Sequence, residues 1–121
     1  MLRVVGAAGD PATRIENRLG EPAANPYLYI AAQIVAGLDG MTQKLMPPPA
    51  TASPYASNEA QRLPTNVSAA LTALHQDTAL TSGFGEAWVN YYTRIRQSEI
   101  QRRAQATDPL EFDRREHFSR I

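Results

Sequence analysis

Short strand-like runs occupy the first eighteen positions, and apolar residues at three- and four-residue spacing govern most of the remaining chain. Leu2 to Val5 and Thr13 to Arg18 read as two strands, joined by Gly6-Ala7-Ala8-Gly9-Asp10-Pro11-Ala12, whose glycines and proline permit a turn. A hairpin is predicted. Two strands alone are marginal in water, and no later stretch offers a third. The first strand is therefore expected to keep an edge for a partner from outside these residues, as though the sequence opened inside a domain.

Asn25-Pro26 predicts a helix start: asparagine accepts from the first free amides, and proline loses nothing at the first helical position. This helix is expected to run to about Asp39 and stop at Gly40. Tyr27, Ile30, Ala31, Ile34, Val35 and Leu38 recur at helical spacing, and Ala23, Ala24, Ala31, Ala32, Ala36 and Gly37 offer small surfaces to neighbours. A helix this apolar is expected to be buried on much of its circumference in a complete domain, and to expose apolar surface in these residues alone, where the sheet that would cover it is absent.

Residues 46–62 carry four prolines and read as a surface linker, since proline removes donors and fixes extended geometry. Asn66 then caps a short helix striped by Val67, Ala70, Leu71 and Leu74. His75 at its end, with no second histidine four residues on, reads as solvent-facing or as a partner of the helix dipole. Gly83 and Gly85 are expected to break the chain before its longest helix, about Glu86 to Ala104. Phe84, Trp88, Tyr91 and Ile95, widened by Tyr92, form an aromatic stripe read as core. Asp108, Pro109 and Glu111 open a last helix that Phe112, Arg115 and Phe118 carry to the end. The fold class expected is α/β (α+β) with helix predominating: a short N-terminal β-hairpin and about four helices.

Composition narrows the classes of function. Lysines plus arginines equal aspartates plus glutamates at 12 each, so no electrostatic case exists for nucleic acid or an anionic membrane. The local run Arg94, Arg96, Arg102 and Arg103 reads as a solvated helix face. A polyproline ligand around residues 46–54 lacks supporting basic residues. With no cysteine, neither a disulfide nor a thiolate metal site can form. That absence, the lack of a secretory signal and the lack of an apolar run near 20 residues fit a cytoplasmic protein.

Candidate chemistry lies in the second strand. Alternation puts Arg14, Glu16 and Arg18 on one face, with Ile15 and Asn17 on the other and Ile15 expected to anchor the strand in a core. At about 3.3 Å per residue the outer arginines stand roughly 13 Å apart with a carboxylate midway. Such a row can serve anionic groups and a metal ion, but on spacing alone a solvated charge ladder is the readier reading.

The run from Thr13 to Met41, TRIENRLGEPAANPYLYIAAQIVAGLDGM, resembles the C-terminal part of the glutamine synthetase catalytic domain. That family's pattern is an R-[IVL]-E-x-R strand, a short D/E-P-A-A-N-P-Y-L turn and a helix ending A-G-L-D-G. The likeness continues more weakly through Leu63-Pro64, the helix around Trp88 and Thr107-Asp108-Pro109-Leu110-Glu111. It implies an ATP-dependent glutamate–ammonia ligase that works through a γ-glutamyl phosphate with Mg2+ or Mn2+. By the family's pattern Glu16 matches a metal-binding carboxylate, and Arg18 matches the arginine that holds glutamate near the transferred phosphate. Arg3 matches an ATP contact, and Arg14 a basic position near the nucleotide. Arginine suits these roles because its planar fork meets carboxylate or phosphate through two hydrogen bonds.

Several departures bound the resemblance. Pro11 stands where many bacterial members have a basic residue, and Tyr55 lacks the surroundings of the tyrosine that some members adenylylate. The grasp-like domain, the other metal-binding glutamates and the ATP motif of the family do not occur in these residues. Residues 1–121 are thus expected to be part of a catalytic domain, inactive alone and a homo-oligomer when complete. Ammonia, methylamine or a polyamine remain open as acceptor, and a non-catalytic helical binding or assembly protein derived from the family is the other reading.

Overall fold

The computed structural model describes residues 2–51 and 62–119. Strands β1 (Leu2–Val5) and β2 (Arg14–Asn17) pair antiparallel, with Leu2 opposite Asn17, Arg3 opposite Glu16, Val4 opposite Ile15 and Val5 opposite Arg14. Five helices complete the described residues: α1 (Pro26–Thr42), α2 (Val67–Gln76), α3 (Thr78–Phe84), α4 (Glu86–Ala104) and α5 (Pro109–His117). The helix-predominant α+β architecture is as expected. Within the Pro-rich stretch, residues 46–51 and 62 have no regular structure, and 52–61, with Tyr55, lie outside the described residues.

Side-chain caps account for the starts of α1, α2 and α5, whereas α4 starts after Gly85 without one. Asn25 Oδ1 accepts from the amides of Tyr27 and Leu28, Asn66 Oδ1 from Ala69, and Asp108 Oδ1 from Leu110 and Glu111. These satisfy donors that the first turn of a helix leaves free.

Helix α3 is the one element that the sequence reading does not separate. Asp77 ends α2 and caps α3 by accepting from Leu80 at 2.9 Å, so one residue serves two helices. Gly83 does not break the chain; it lies inside α3, where a Cβ would overlap both methyls of Val35 on α1. It is the contact point at which α1 meets α3. The actual break is Gly85, at φ +85°, a conformation that side chains with a Cβ rarely adopt.

Gly40 does not stop α1 either. The helix continues to Thr42, and Lys44 takes the left-handed turn at φ 54°. Its amide meets Met41 O at 3.2 Å while Leu45 N meets Gly40 O at 2.9 Å, the paired bonds of a Schellman ending.

The core is small and sits among α2, α3 and α4. Leu71, Val89 and Thr93 are its buried residues, with Val89 wholly inaccessible. Thr93 Oγ1 pairs with His75 Nε2 at 2.9 Å, so His75 joins α2 to α4 rather than facing solvent alone. The aromatic stripe follows a four-residue step: Phe84, Trp88 and Tyr92 stack at 4.7 and 5.1 Å between centroids, and the Arg96 guanidinium caps the column over Tyr92. Tyr91 and Ile95, expected in that stripe, are exposed.

Helix α5 is held by charge. Arg103 makes two bonds to Asp113 at 2.8 and 2.9 Å, Arg102 makes two to Glu116 at 2.7 and 3.0 Å, and His117 Nε2 stands 3.2 Å from Glu99. Arg96 also pairs with Glu99, so within the basic run Arg96, Arg102 and Arg103 make ion pairs, while Arg102 and Arg103 keep the solvent exposure expected of that face.

Helix α1 is left uncovered, as expected for these residues without the sheet that would lie over it. None of its residues is buried, and Tyr27, Ile30, Ile34, Leu38 and Met41 form an exposed apolar stripe. Among the described residues α1 packs on α3 alone, which covers only the face bearing Val35.

Candidate functional site

Antiparallel register builds the candidate site from two strands. Residues directly opposite in such a pair share a face. Arg3 with Glu16 and Val5 with Arg14 therefore lie on one side of the hairpin, and Leu2, Val4, Ile15 and Asn17 on the other. The alternation read from sequence is realised for Arg14 and Glu16, and it brings in Arg3 from the neighbouring strand.

Glu16 is the most enclosed of the four candidates, with its side chain 31% exposed against 57% for Arg14. Arg14 Nη2 donates to Glu16 Oε1 at 2.9 Å, and Arg14 Nη1 donates to Ala12 O at 3.2 Å. A half-exposed pair of this kind is worth about 0–1 kcal/mol, so a stronger ligand for the carboxylate can displace it. Arg3 and Arg18 are exposed and make no ion pair among the described residues, which leaves both forks open to an anion. Arg18 lies one residue beyond the end of β2.

Ile15 meets no core among the described residues. It is 70% exposed, as are Leu2 and Val4 on the same face to a similar degree, because no helix packs against the hairpin among the described residues. The strand's link to a helix comes from a residue that alternation had merely placed on the opposite face: Asn17 Nδ2 donates to Gln33 Oε1 of α1 at 2.8 Å, and Asn17 Oδ1 accepts from Leu19 N at 3.1 Å. The only sequence signal for this pairing is a lone glutamine in an otherwise apolar stretch of α1.

A divalent metal does not fit the described residues as a complete site. Hard cations take six or more oxygens, and among the described residues no three histidine or carboxylate side chains come together. Glu16 supplies one carboxylate at most. Two concave surfaces are formed elsewhere, one along α4 around Tyr91 and Arg94, the other between α4, α5 and the start of α2; neither includes Arg3, Arg14, Glu16 or Arg18. No helix of the described residues is long and apolar enough to cross a membrane.

A charged hairpin face preceding a helix opened by Asn-Pro defines an α+β segment of the class that the resemblance implied. Residues 1–115 match the family described as glutamine synthetase, catalytic domain, and the chain belongs to that family. Gamma-glutamylanilide synthase of Acinetobacter sp is 43% identical over 98% of this chain and 26% of its own length. Glutamine synthetase of Pasteurella multocida is 36% identical over 93% of this chain and 26% of its own length, and human Lengsin 33% over 86% and 21%. The chain thus spans about a quarter of the length of these relatives. No solved structure matches it.

Proposed function

We propose that these residues are the C-terminal portion of an ATP-dependent carbon–nitrogen ligase of the glutamate–ammonia type, and that they are inactive alone. In this reading the glutamate γ-carboxylate takes the γ-phosphoryl group of ATP, releasing ADP, and ammonia then displaces phosphate to leave glutamine. Arg18 holds the carboxylate beside the transferred phosphoryl group, Arg3 meets the ATP phosphates, and Arg14 is a second contact to the nucleotide. Glu16 is one ligand to Mg2+ or Mn2+. The cytoplasm and a homo-oligomer are the setting proposed for the complete protein.

The observation that carries this reading is the register of the hairpin, which sets Arg3 opposite Glu16 inside the family's own R-I-E-N-R run. Phosphoryl transfer is catalysed mainly by positioning and by cations around the phosphates, which is what two open arginines beside a carboxylate contribute. A second reading, with an aromatic amine as acceptor in place of ammonia, is supported by the 43% identity to a relative named for γ-glutamylanilide.

Both readings are tested by measuring γ-glutamyl hydroxamate formation from glutamate, ATP and hydroxylamine, then comparing ammonia with aniline. A complete ligase carrying this segment should react, and the 121-residue chain should not. In the complete protein Glu16→Gln should weaken metal binding while the fold survives. Arg18→Lys should be nearly as damaging as Arg18→Ala, because lysine keeps the charge and loses the fork. Loss of one member of a desolvated charge pair costs about 2–5 kcal/mol, or roughly 30-fold to several-thousand-fold in rate or affinity. Activity in the isolated chain, or wild-type rates and metal dependence in both variants, would sink the proposal.

A further inference from the structure

The geometry points to Asn17 and Gln33 as a pair of positioning residues that set Glu16 and Arg18 relative to α1, an inference that rests on the roles proposed for those two residues. Three observations converge. The Asn17–Gln33 bond, 2.8 Å long, is the only hydrogen bond that joins the hairpin to a helix among the described residues, and no apolar packing accompanies it. Asn17 stands between Glu16 and Arg18, so any rotation of β2 about its own axis moves both. Its carbonyl oxygen also accepts from Leu19 N at 3.1 Å, just after Arg18.

One carboxamide thus uses both ends. Its NH2 ties the strand to α1, and its oxygen ties the strand to the residue just after Arg18. An asparagine is suited to this double task because a single planar group offers donors on one atom and an acceptor on the other. Gln33 is suited in turn: at an exposed position of α1 its flexible stem can bring Oε1 to the strand. The contribution to overall stability is small, since an exposed hydrogen bond is worth little. Its effect on the reaction is larger, because a misplacement of about 1 Å at a reacting group can cost on the order of a hundredfold.

The test uses two substitutions at Gln33 that differ only in accepting ability. Gln33→Glu retains an oxygen for Asn17 Nδ2, and Gln33→Leu retains the helix and removes the acceptor. In the 121-residue chain, nuclear Overhauser contacts between β2 and α1 should persist in Gln33→Glu and vanish in Gln33→Leu, with circular dichroism unchanged in both. In a complete ligase carrying the segment, Gln33→Leu should lower kcat about tenfold to a hundredfold, and Gln33→Glu should remain within about threefold of wild type. Asn17→Ala, which also loses the bond from Leu19 N, should cost at least as much as Gln33→Leu, and the double variant should be no worse than Asn17→Ala alone, as expected when the Gln33 effect runs through that one bond.

Contacts that survive in Gln33→Leu, wild-type kcat in that variant, or equal loss in Gln33→Leu and Gln33→Glu would each overturn the inference. Failure of the site proposal is separate: it shows as full activity in Glu16→Gln and Arg18→Lys.

Discussion

In the helical half Leu71 on α2 and Val89 with Thr93 on α4 close a small core, whereas the hairpin and α1, which carry or flank every candidate site residue, contain no buried residue at all. Both halves are rich in apolar side chains. The difference lies in what stands opposite them: α4 meets α2 and α3 on one side and α5 on another, while α1 meets α3 alone and the hairpin meets α1 through one hydrogen bond. Burial is therefore a property of neighbours as much as of sequence. Tyr27, Ile30, Ile34, Leu38 and Met41 form one exposed apolar stripe along α1.

An aspartate placed in each half breaks or sharpens this contrast most strongly. At Val89 the carboxylate would enter a site with no accessible surface, which costs about 3–5 kcal/mol and exceeds what so small a core can lose. Val89→Asp should abolish the cooperative thermal transition and much of the helical circular dichroism. Ile34→Asp, on the exposed stripe, should leave the helix content intact and reduce self-association in sedimentation. Equal loss of helix in both variants would erase the distinction between the halves.

The seam between the halves gives the next effect. Gly83→Ala gains about 1 kcal/mol of helix propensity in α3, yet its new methyl would overlap Val35, and overpacking typically costs about 1–3 kcal/mol. The clash should win. Hydrogen exchange along α1 should quicken while α2 and α4 are unchanged, and adding Val35→Ala should restore protection. A Gly83→Ala chain with undisturbed α1 would mean that the two helices shift apart without consequence.

Much of this was legible in residue chemistry. The caps at Asn25, Asn66 and Asp108 and the limits of α4 arise from local rules, because a cap acts within three residues of itself. Helix α3 escaped because glycine at position 83 reads as a breaker, when its role is to admit Val35 from a helix distant in sequence. Lys44 likewise ends α1 in a conformation usually given to glycine, which no periodicity signals. The site was legible as a row of charges, and the family motif supplied roles for them. The tie from Asn17 to Gln33 was not, since a hydrogen bond between a strand and a helix depends on how the two are set in space.

The smallest effect concerns α5, whose attachment to α4 differs from both halves in the number of ion pairs across it, with the Arg102 guanidinium also lying over the Phe112 ring. Hydrogen bonding from Arg103 holds the Asp113 carboxyl below its ordinary range; desolvation opposes this, and the charges of Arg103 and His117 add to it. A depressed carboxyl contributes stability that is present above its unfolded value, near pH 4, and is lost as pH falls through the lower folded value. The partners Arg102 and Arg103 are raised, chiefly by bonds to Glu116 and Asp113, so their contribution is present below the ordinary arginine range and persists through neutral pH. Loosening of α5 is therefore expected on the acid side only. Amide chemical shifts of α5 should move toward random-coil values below about pH 4 while those of α2 stay in place, and added salt should shift the transition to higher pH by screening the pairs. Asp113→Asn should loosen α5 already at neutral pH. If α5 stays docked at pH 2, contacts other than the ion pairs, such as the Phe112 ring against α4, hold it, and the attachment does not depend on charge.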